Sequence, residues 1–383
     1  MESKRVLNII QRYHPAKGGA ELFIKLLSEY QHGKLGFEVD VWTTDVYDSD
    51  TLWDLEGDII EEKQEIINGV NVYRYPVGNG ILKNKYINKV FRVVFSKVPN
   101  FSISNLATCP TTFDMLRKTD EESLPHYDYV TVSSTPYFFL FYVGYLVSKK
   151  LNVPYIIAPA LHTGKGMENK YLPKTSAPFY EHATKIIVNT KSEEEKIKSF
   201  CLENGIILDN EKFQVLGQGV FLNQIQGGDG KRFRGKYGIE DPIVFQVGSK
   251  NFEKGNYSLV EAMKILWDKG VKANLVFAGL KNEDFSRYID SQEEKYKENI
   301  LNIDNVSDEE KWDLFAAGDV FSMISKTDSF GIVYLEAWTY SKPVLGCRND
   351  VMREVISDNE DGFLIEFDNV INISKDTFPF GKR

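Results

Sequence analysis

The chain has 383 residues, of which 42% are apolar and 26% charged, with a formal net charge of −9. This length exceeds one simple core and predicts two domains, while the acidic balance of an otherwise ordinary soluble composition argues against a general nucleic-acid binder. Three widely spaced cysteines, Cys109, Cys201 and Cys347, form no CxxC pair, so neither a disulfide framework nor a zinc site is expected, and a reducing cytoplasm fits best.

The N-terminus "MESKRVLNII" runs directly into a strand and has no secretory h-region. Strands then alternate with helical patterns, which predicts an α/β fold built on mainly parallel sheets. "RVLNII" is a buried strand, "GGAELFIKLLSEYQHG" a loop and helix, and "FEVDVWTT" the next strand. "GDIIEEKQEIINGVNVYRYPV" reads as a hairpin-like excursion around Asn68-Gly69.

Residues 83–97, "KNKYINKVFRVVFSK", carry five cations and no acid, with Tyr86, Ile87, Val90, Phe91, Val93, Val94 and Phe95 interleaved. Two readings stand: a basic amphipathic segment on an anionic membrane surface, or a core helix with a solvated basic face. "YDYVTVSS" is a strand, and "YFFLFYVGYLV", 137–147, is too short to span a bilayer and reads as a buried helix. "PYIIAPALH" is a strand ending at His162, beside Gly164 and Gly166. "ATKIIVNTKSEEEKIKSFC" is a strand and then a helix, with Ser192 as N-cap and Glu195 closing a capping box.

A second βα series begins near Gly219, giving domains 1–218 and 219–383. Residues 223–236, "NQIQGGDGKRFRGK", read as a linker plus surface loop. "DPIVFQVGS", "ANLVFAG" and the end of "SDEEKWDLFAAGDVFSMIS" are strands, with "NYSLVEAMKILWDKG" and "SDEEKWDLFAA" helical. "TDSFGIVYLEAWTYSKP", 327–343, is a loop entering a helix, with Asp328 just before it and Glu336 about two turns inside. Between the two carboxylates lie the N–H groups of a helix N-terminus, an anion site. A ligand with two hydroxylated ends and a phosphate middle fits this spacing. Ligands of such sheets bind at the carboxyl ends of strands, in a cleft between the two domains.

Four motifs in this order resemble glycosyltransferase family 4, a group of GT-B enzymes with two Rossmann-like doubly wound domains facing a central cleft. They are "YHPAKGGAE" (13–21), "APALHTGKG" with His162, "VGSKNFEKG" (247–255), and "DSFGIVYLEAWTYSKPVLG", which is similar to the family's E-x7-E segment with Asp at its first position. The resemblance extends from residue 1 to about residue 365. It implies retaining transfer of a sugar from a nucleotide-diphosphate sugar to a hydroxyl of a glycan, lipid-linked or small-molecule acceptor. Glu336 would then bind ribose hydroxyls, Asp328 the donor sugar, and the loop of Ser329, Phe330, Gly331 and Ile332 the diphosphate. Lys254 would neutralise the leaving diphosphate, and His162 would contact the donor sugar. Gly18 and Gly19 would let backbone approach the donor, and Glu21 reads as a first-turn acid favoured by the helix dipole. His14, Lys85, Lys89 and Arg92 would line the acceptor side.

The family usually has an arginine five residues before the lysine; here Ser249 stands there, with Lys250 beside it as the alternative cation. Ser249 and Asp328 motivate another reading, a non-catalytic nucleotide-sugar-binding regulator, and a GT-B-type sugar-nucleotide epimerase is a further alternative. The DxD of Asp48 and Asp50 reads as chance, and no metal or cofactor is expected beyond the nucleotide sugar as co-substrate. His32, His126 and His182 read as structural. The family continues past "DGFLI" through several helices, whereas this sequence stops at "FPFGKR". The expected location is cytoplasmic, peripheral on the inner face of the membrane if 83–97 lies on it.

Overall fold

The computed structural model describes residues 3–78, 80–162, 164 and 168–377. The chain divides into two compact units, Met1–Gly217 and Gln218–Arg383.

The first unit is an eight-stranded sheet of β1 (Arg5–Ile9), β2 (Glu38–Thr44), β3 (Gln64–Ile67), β4 (Val70–Tyr75), β5 (Tyr129–Ser133), β6 (Tyr155–Ala158), β7 (Lys185–Val188) and β8 (Phe213–Val215). The spatial order is β3-β4-β2-β1-β5-β6-β7-β8. All neighbours are parallel except β3 and β4, which form the expected hairpin. Asn68 and Gly69 make its two-residue turn with φ of 50° and 85°, a backbone region that Asn and Gly tolerate. Val6, Leu7, Ile9, Val130 and Val132 are fully buried, as strands covered on both faces require. Helix Gly19–Gly33 follows β1, and the apolar helix Phe138–Leu151 lies buried in the core after β5.

The second unit is a six-stranded parallel sheet of β9 (Ile243–Val247), β10 (Asn274–Gly279), β11 (Ile300–Asp304), β12 (Val320–Met323), β13 (Val344–Cys347) and β14 (Gly362–Ile365). Its order is β11-β10-β9-β12-β13-β14. The order reverses between β9 and β12, as it does between β1 and β5 in the first unit. Crevices for ligands open at such reversals, beyond the carboxyl ends of the strands.

Three local expectations are corrected. The 223–236 segment is not only linker and loop: Gly230–Tyr237 is a helix with Asp229 as its N-cap. Phe233 is buried, and Arg232 pairs with Asp313 of helix Asp308–Ala317, which docks the segment. The glycines hid this helix from pattern reading. Helix Lys191–Glu203 is capped by Thr190, which accepts from the Glu193 N–H, and not by Ser192 with Glu195. Strand β7 ends two residues before Thr190, so the extended cap position falls there. Finally, β6 ends at Ala158, and His162 lies in the loop beyond it.

Candidate functional site

The loop after β9 is built to present Lys254. Asn251 caps the turn Phe252–Lys254 by accepting from the Lys254 N–H at 3.0 Å. Asn256 Oδ1 in turn accepts from the Asn251 N–H at 2.9 Å, and Gln246 Nε2 donates to the Lys254 carbonyl at 3.1 Å. Gly255 closes the turn with φ of 73°, where a Cβ would lie 2.6 Å from the Ile324 carbonyl oxygen. The lysine loop therefore packs directly against the chain leaving β12.

That chain carries the aspartate. The Lys254 ammonium lies 2.6 Å from Asp328 Oδ1. Asp328 is 8% exposed, and its Oδ2 is buried with no hydrogen-bond partner among the described residues. Gly331, with φ of 85°, opens helix Ile332–Thr339, whose first N–H groups have no intrahelical acceptor. Glu336 is the fifth residue of that helix, so it sits just over one turn inside rather than about two. It is 5% exposed, Lys311 Nζ donates to its Oε1 at 2.7 Å, and its Oε2 is buried without a partner among the described residues. Lys311 lies over the Trp312 ring at 4.2 Å. Each carboxylate is thus fixed by one lysine and keeps one unpaired acceptor oxygen. A buried carboxylate oxygen wants a donor, and a ligand hydroxyl at each would supply one.

Lys250 is placed differently from the expectation. Its ammonium is buried and donates to Asn302 Oδ1 at 2.7 Å, the Ile303 carbonyl at 2.8 Å and Asp304 Oδ1 at 2.5 Å. Burial lowers its pKa, against the opposing pull of Asp304. It ties the β9 loop to the end of β11 and is not a second cation beside Asp328. Ser249 is exposed on the same loop, and Phe330, Gly331 and Ile332 are half-buried at the helix entrance.

In the first unit, the loop after β1 holds a cluster that pattern reading missed. Arg12 pairs with Glu21 Oε1 at 2.6 Å, and Gln11 Nε2 donates to the same oxygen at 3.0 Å. Ser134, just after β5, donates to Gln11 Oε1 at 3.3 Å, so the cluster straddles the sheet reversal. Glu21 is in the first turn of helix Gly19–Gly33, as expected, and is also a buried ion-pair partner. A Cβ on Gly18 would lie 2.2 Å from Glu21 Oε2, so Gly18 is required by this carboxylate's packing; Gly19 begins the helix. The available signal was a charged and an amide residue immediately following a buried strand.

His162 stacks on Tyr171 with ring centroids 5.1 Å apart. Its loop is anchored by buried Glu193, which accepts from the Leu161 N–H at 2.7 Å. Gly166, expected beside His162, lies outside the described residues. His14 is exposed, and its carbonyl accepts from Arg74 at 2.7 Å. Lys85 pairs with Glu56 at 2.6 Å, Arg92 lies over Trp53 at 5.3 Å, and Lys89 is exposed. Among the described residues no group of three or more His, Cys, Asp or Glu side chains could hold a metal ion.

Two doubly wound Rossmann-like units, with a lysine and two carboxylates at the reversal of the second, define a chain of the GT-B fold. Residues 229–376 match the family model described as glycosyl transferases group 1. Among curated proteins, a D-inositol 3-phosphate glycosyltransferase of Streptomyces scabiei is 24% identical over 261 residues, 63% of this chain and 57% of that one. The chain thus spans little more than half the length of that relative. Among solved structures, HepE of Anabaena in complex with UDP and glucose matches with a TM-score of 0.63 at 17% identity, over 97% of this chain and 88% of that one. Sucrose-phosphate synthase of Thermosynechococcus elongatus matches with a TM-score of 0.70 at 16% identity, with the same coverage.

Proposed function

We propose that the chain is a retaining, metal-independent glycosyltransferase. It moves a sugar from a nucleotide-diphosphate sugar to a hydroxyl of a glycan, lipid-linked or small-molecule acceptor. One observation carries this: two buried carboxylates, Asp328 and Glu336, each held by a lysine and each keeping an unpartnered oxygen, on either side of a helix N-terminus. The match to glycosyl transferases group 1 over the second unit supports it, as does the UDP named for the Anabaena neighbour.

Glu336 Oε2 accepts the ribose hydroxyls and Asp328 Oδ2 those of the sugar. The N–H groups at the start of helix Ile332–Thr339 and the Lys254 ammonium take the diphosphate. The bond from the anomeric carbon to the phosphate oxygen breaks, and a bond from that carbon to the acceptor oxygen forms on the same face. The acceptor proton passes to the departing phosphate oxygen. The protein supplies positioning and a fixed positive charge where negative charge develops. Lys250 is spent on Asp304, so Lys254 carries this charge without a second cation from the β9 loop.

The test is proton NMR of the anomeric signal during incubation with donor, acceptor and EDTA. Retention in a new glycoside is expected. Unchanged donor across acceptor classes would favour the regulatory reading, and a donor epimer formed without acceptor would favour the epimerase.

A further inference from the structure

Helix Lys85–Phe95 is amphipathic, but its apolar side is not the side that meets the protein. Asn88 is its buried residue and donates to the Leu82 carbonyl at 3.0 Å. Phe91 meets Phe113 edge-on with ring centroids 6.5 Å apart, and Lys85 and Arg92 engage the 51–56 segment through Glu56 and Trp53. Tyr86, Ile87, Val90, Val93 and Val94 recur at the spacing of one helical face, and all are exposed, Tyr86 by 70% and Val90 by 62%. Ile81, just before the helix, is 76% exposed. The core-helix alternative is therefore excluded, because a core helix would turn this stripe inward.

The stripe is too large for an ordinary solvated helix, and its borders are one-signed. Lys83, Lys89 and Lys97 are exposed, none forms an ion pair with another of the described residues, and no acid lies in 83–97. The chain as a whole carries −9, so this cationic rim is a local inversion of its charge. Two copies packed through the same face would bring the rims together and repel. An anionic bilayer matches both features at once: acyl chains accept the stripe, and anionic headgroups accept the lysines. Among the described residues no helix is long and apolar enough to cross a membrane, so the helix would lie in the interface plane.

We propose that helix Lys85–Phe95, with Ile81 and the flanking lysines, docks the chain on an anionic lipid surface. This stands independently of the sugar-transfer reading. The experiment is flotation of the whole protein with vesicles of phosphatidylcholine alone or of equimolar phosphatidylcholine and phosphatidylglycerol. Three proteins are compared: the wild type, Ile87→Ser/Val90→Ser/Val94→Ser, and Lys83→Glu/Lys89→Glu/Lys97→Glu. Circular dichroism and light scattering are recorded on each. Because the altered residues are exposed, the variants are expected to fold as the wild type does. The wild type should float with anionic vesicles and bind neutral ones at least about ten-fold more weakly, a preference reduced by salt. The serine variant should lose binding to both, and the glutamate variant should lose the anionic preference. Three results would overturn the proposal: no flotation of wild type with anionic vesicles, flotation unchanged in the serine variant, or a wild-type dimer that the serine variant abolishes, which would assign the face to a second copy.

Discussion

Lys254 and Asp328 stand 74 positions apart in sequence, yet the lysine ammonium lies 2.6 Å from the aspartate carboxylate. The sheet accounts for this. β9 and β12 are neighbours at the strand-order reversal, and the two residues leave the ends of these strands. Lys254→Ala should therefore remove a fixed charge from the leaving group and lower kcat by about a hundredfold or more. Asp328→Asn keeps the volume but loses the negative charge and turns one of the two acceptor oxygens into a donor, and should raise KM for the donor as well as lowering kcat. Steady-state kinetics with either variant at wild-type values would remove the pair from the chemistry.

The Lys311–Glu336 pair makes a separable prediction. Glu336→Gln should weaken nucleotide binding about ten- to a hundredfold, the range for losing a hydrogen bond to a charged acceptor. Lys311→Met leaves the Glu336 carboxylate buried without its cation and should lower stability by about 1–3 kcal/mol in urea unfolding. The double variant should regain part of that loss. A fully additive cycle would mean the two side chains do not couple.

How much of this was legible in the sequence follows from how local each feature is. The alternation of strand and helix, the Asn68-Gly69 turn and the loop-to-helix entry at Gly331 depend on neighbours in sequence, and each was read directly. The lysine partners of the two carboxylates depend on strand order, which no local pattern encodes, so neither the Lys311–Glu336 nor the Lys254–Asp328 pairing is legible in the sequence. The Gln11–Arg12–Glu21 cluster escapes the sequence for the same reason: Glu21 is legible as a first-turn acid, but its partners Gln11 and Arg12 come from the β1 loop that folds over it. Helix Gly230–Tyr237 was hidden by Gly228, Gly230 and Gly235, because its stability comes from Phe233 and Arg232 rather than from propensity.

That helix also gives a pH prediction. The Arg232 hydrogen bond holds Asp313 below its ordinary 3.8, outweighing burial, and the Asp229 N–H adds to it. A depressed carboxylate contributes stability that is complete above the unfolded value and is lost as pH falls through the folded one. Asp313→Asn should be less stable than wild type at neutral pH, with the gap closing in acid below 3.8. Urea midpoints measured across this range check it; a gap independent of pH would contradict it.

Burial pushes the thiols of Cys109 and Cys201 up to about 12 and that of Cys347 up to about 11. All three are free and buried. A disulfide-exchange reagent at mildly alkaline pH should leave the folded protein unreacted and titrate three thiols after unfolding. Prompt reaction of the folded chain would show that one of these pockets opens.

If Lys254, Asp328 and Glu336 hold a nucleotide sugar, as proposed, thermal shift with UDP-, GDP- and ADP-sugars in EDTA will show it. Ligand at about 100 times its dissociation constant adds roughly 2.7 kcal/mol. A rise in Tm with one nucleotide class, abolished in both Glu336→Ala and Lys254→Ala, is the predicted result. No rise with any donor from a well-folded sample, or the same rise in both variants, would contradict it.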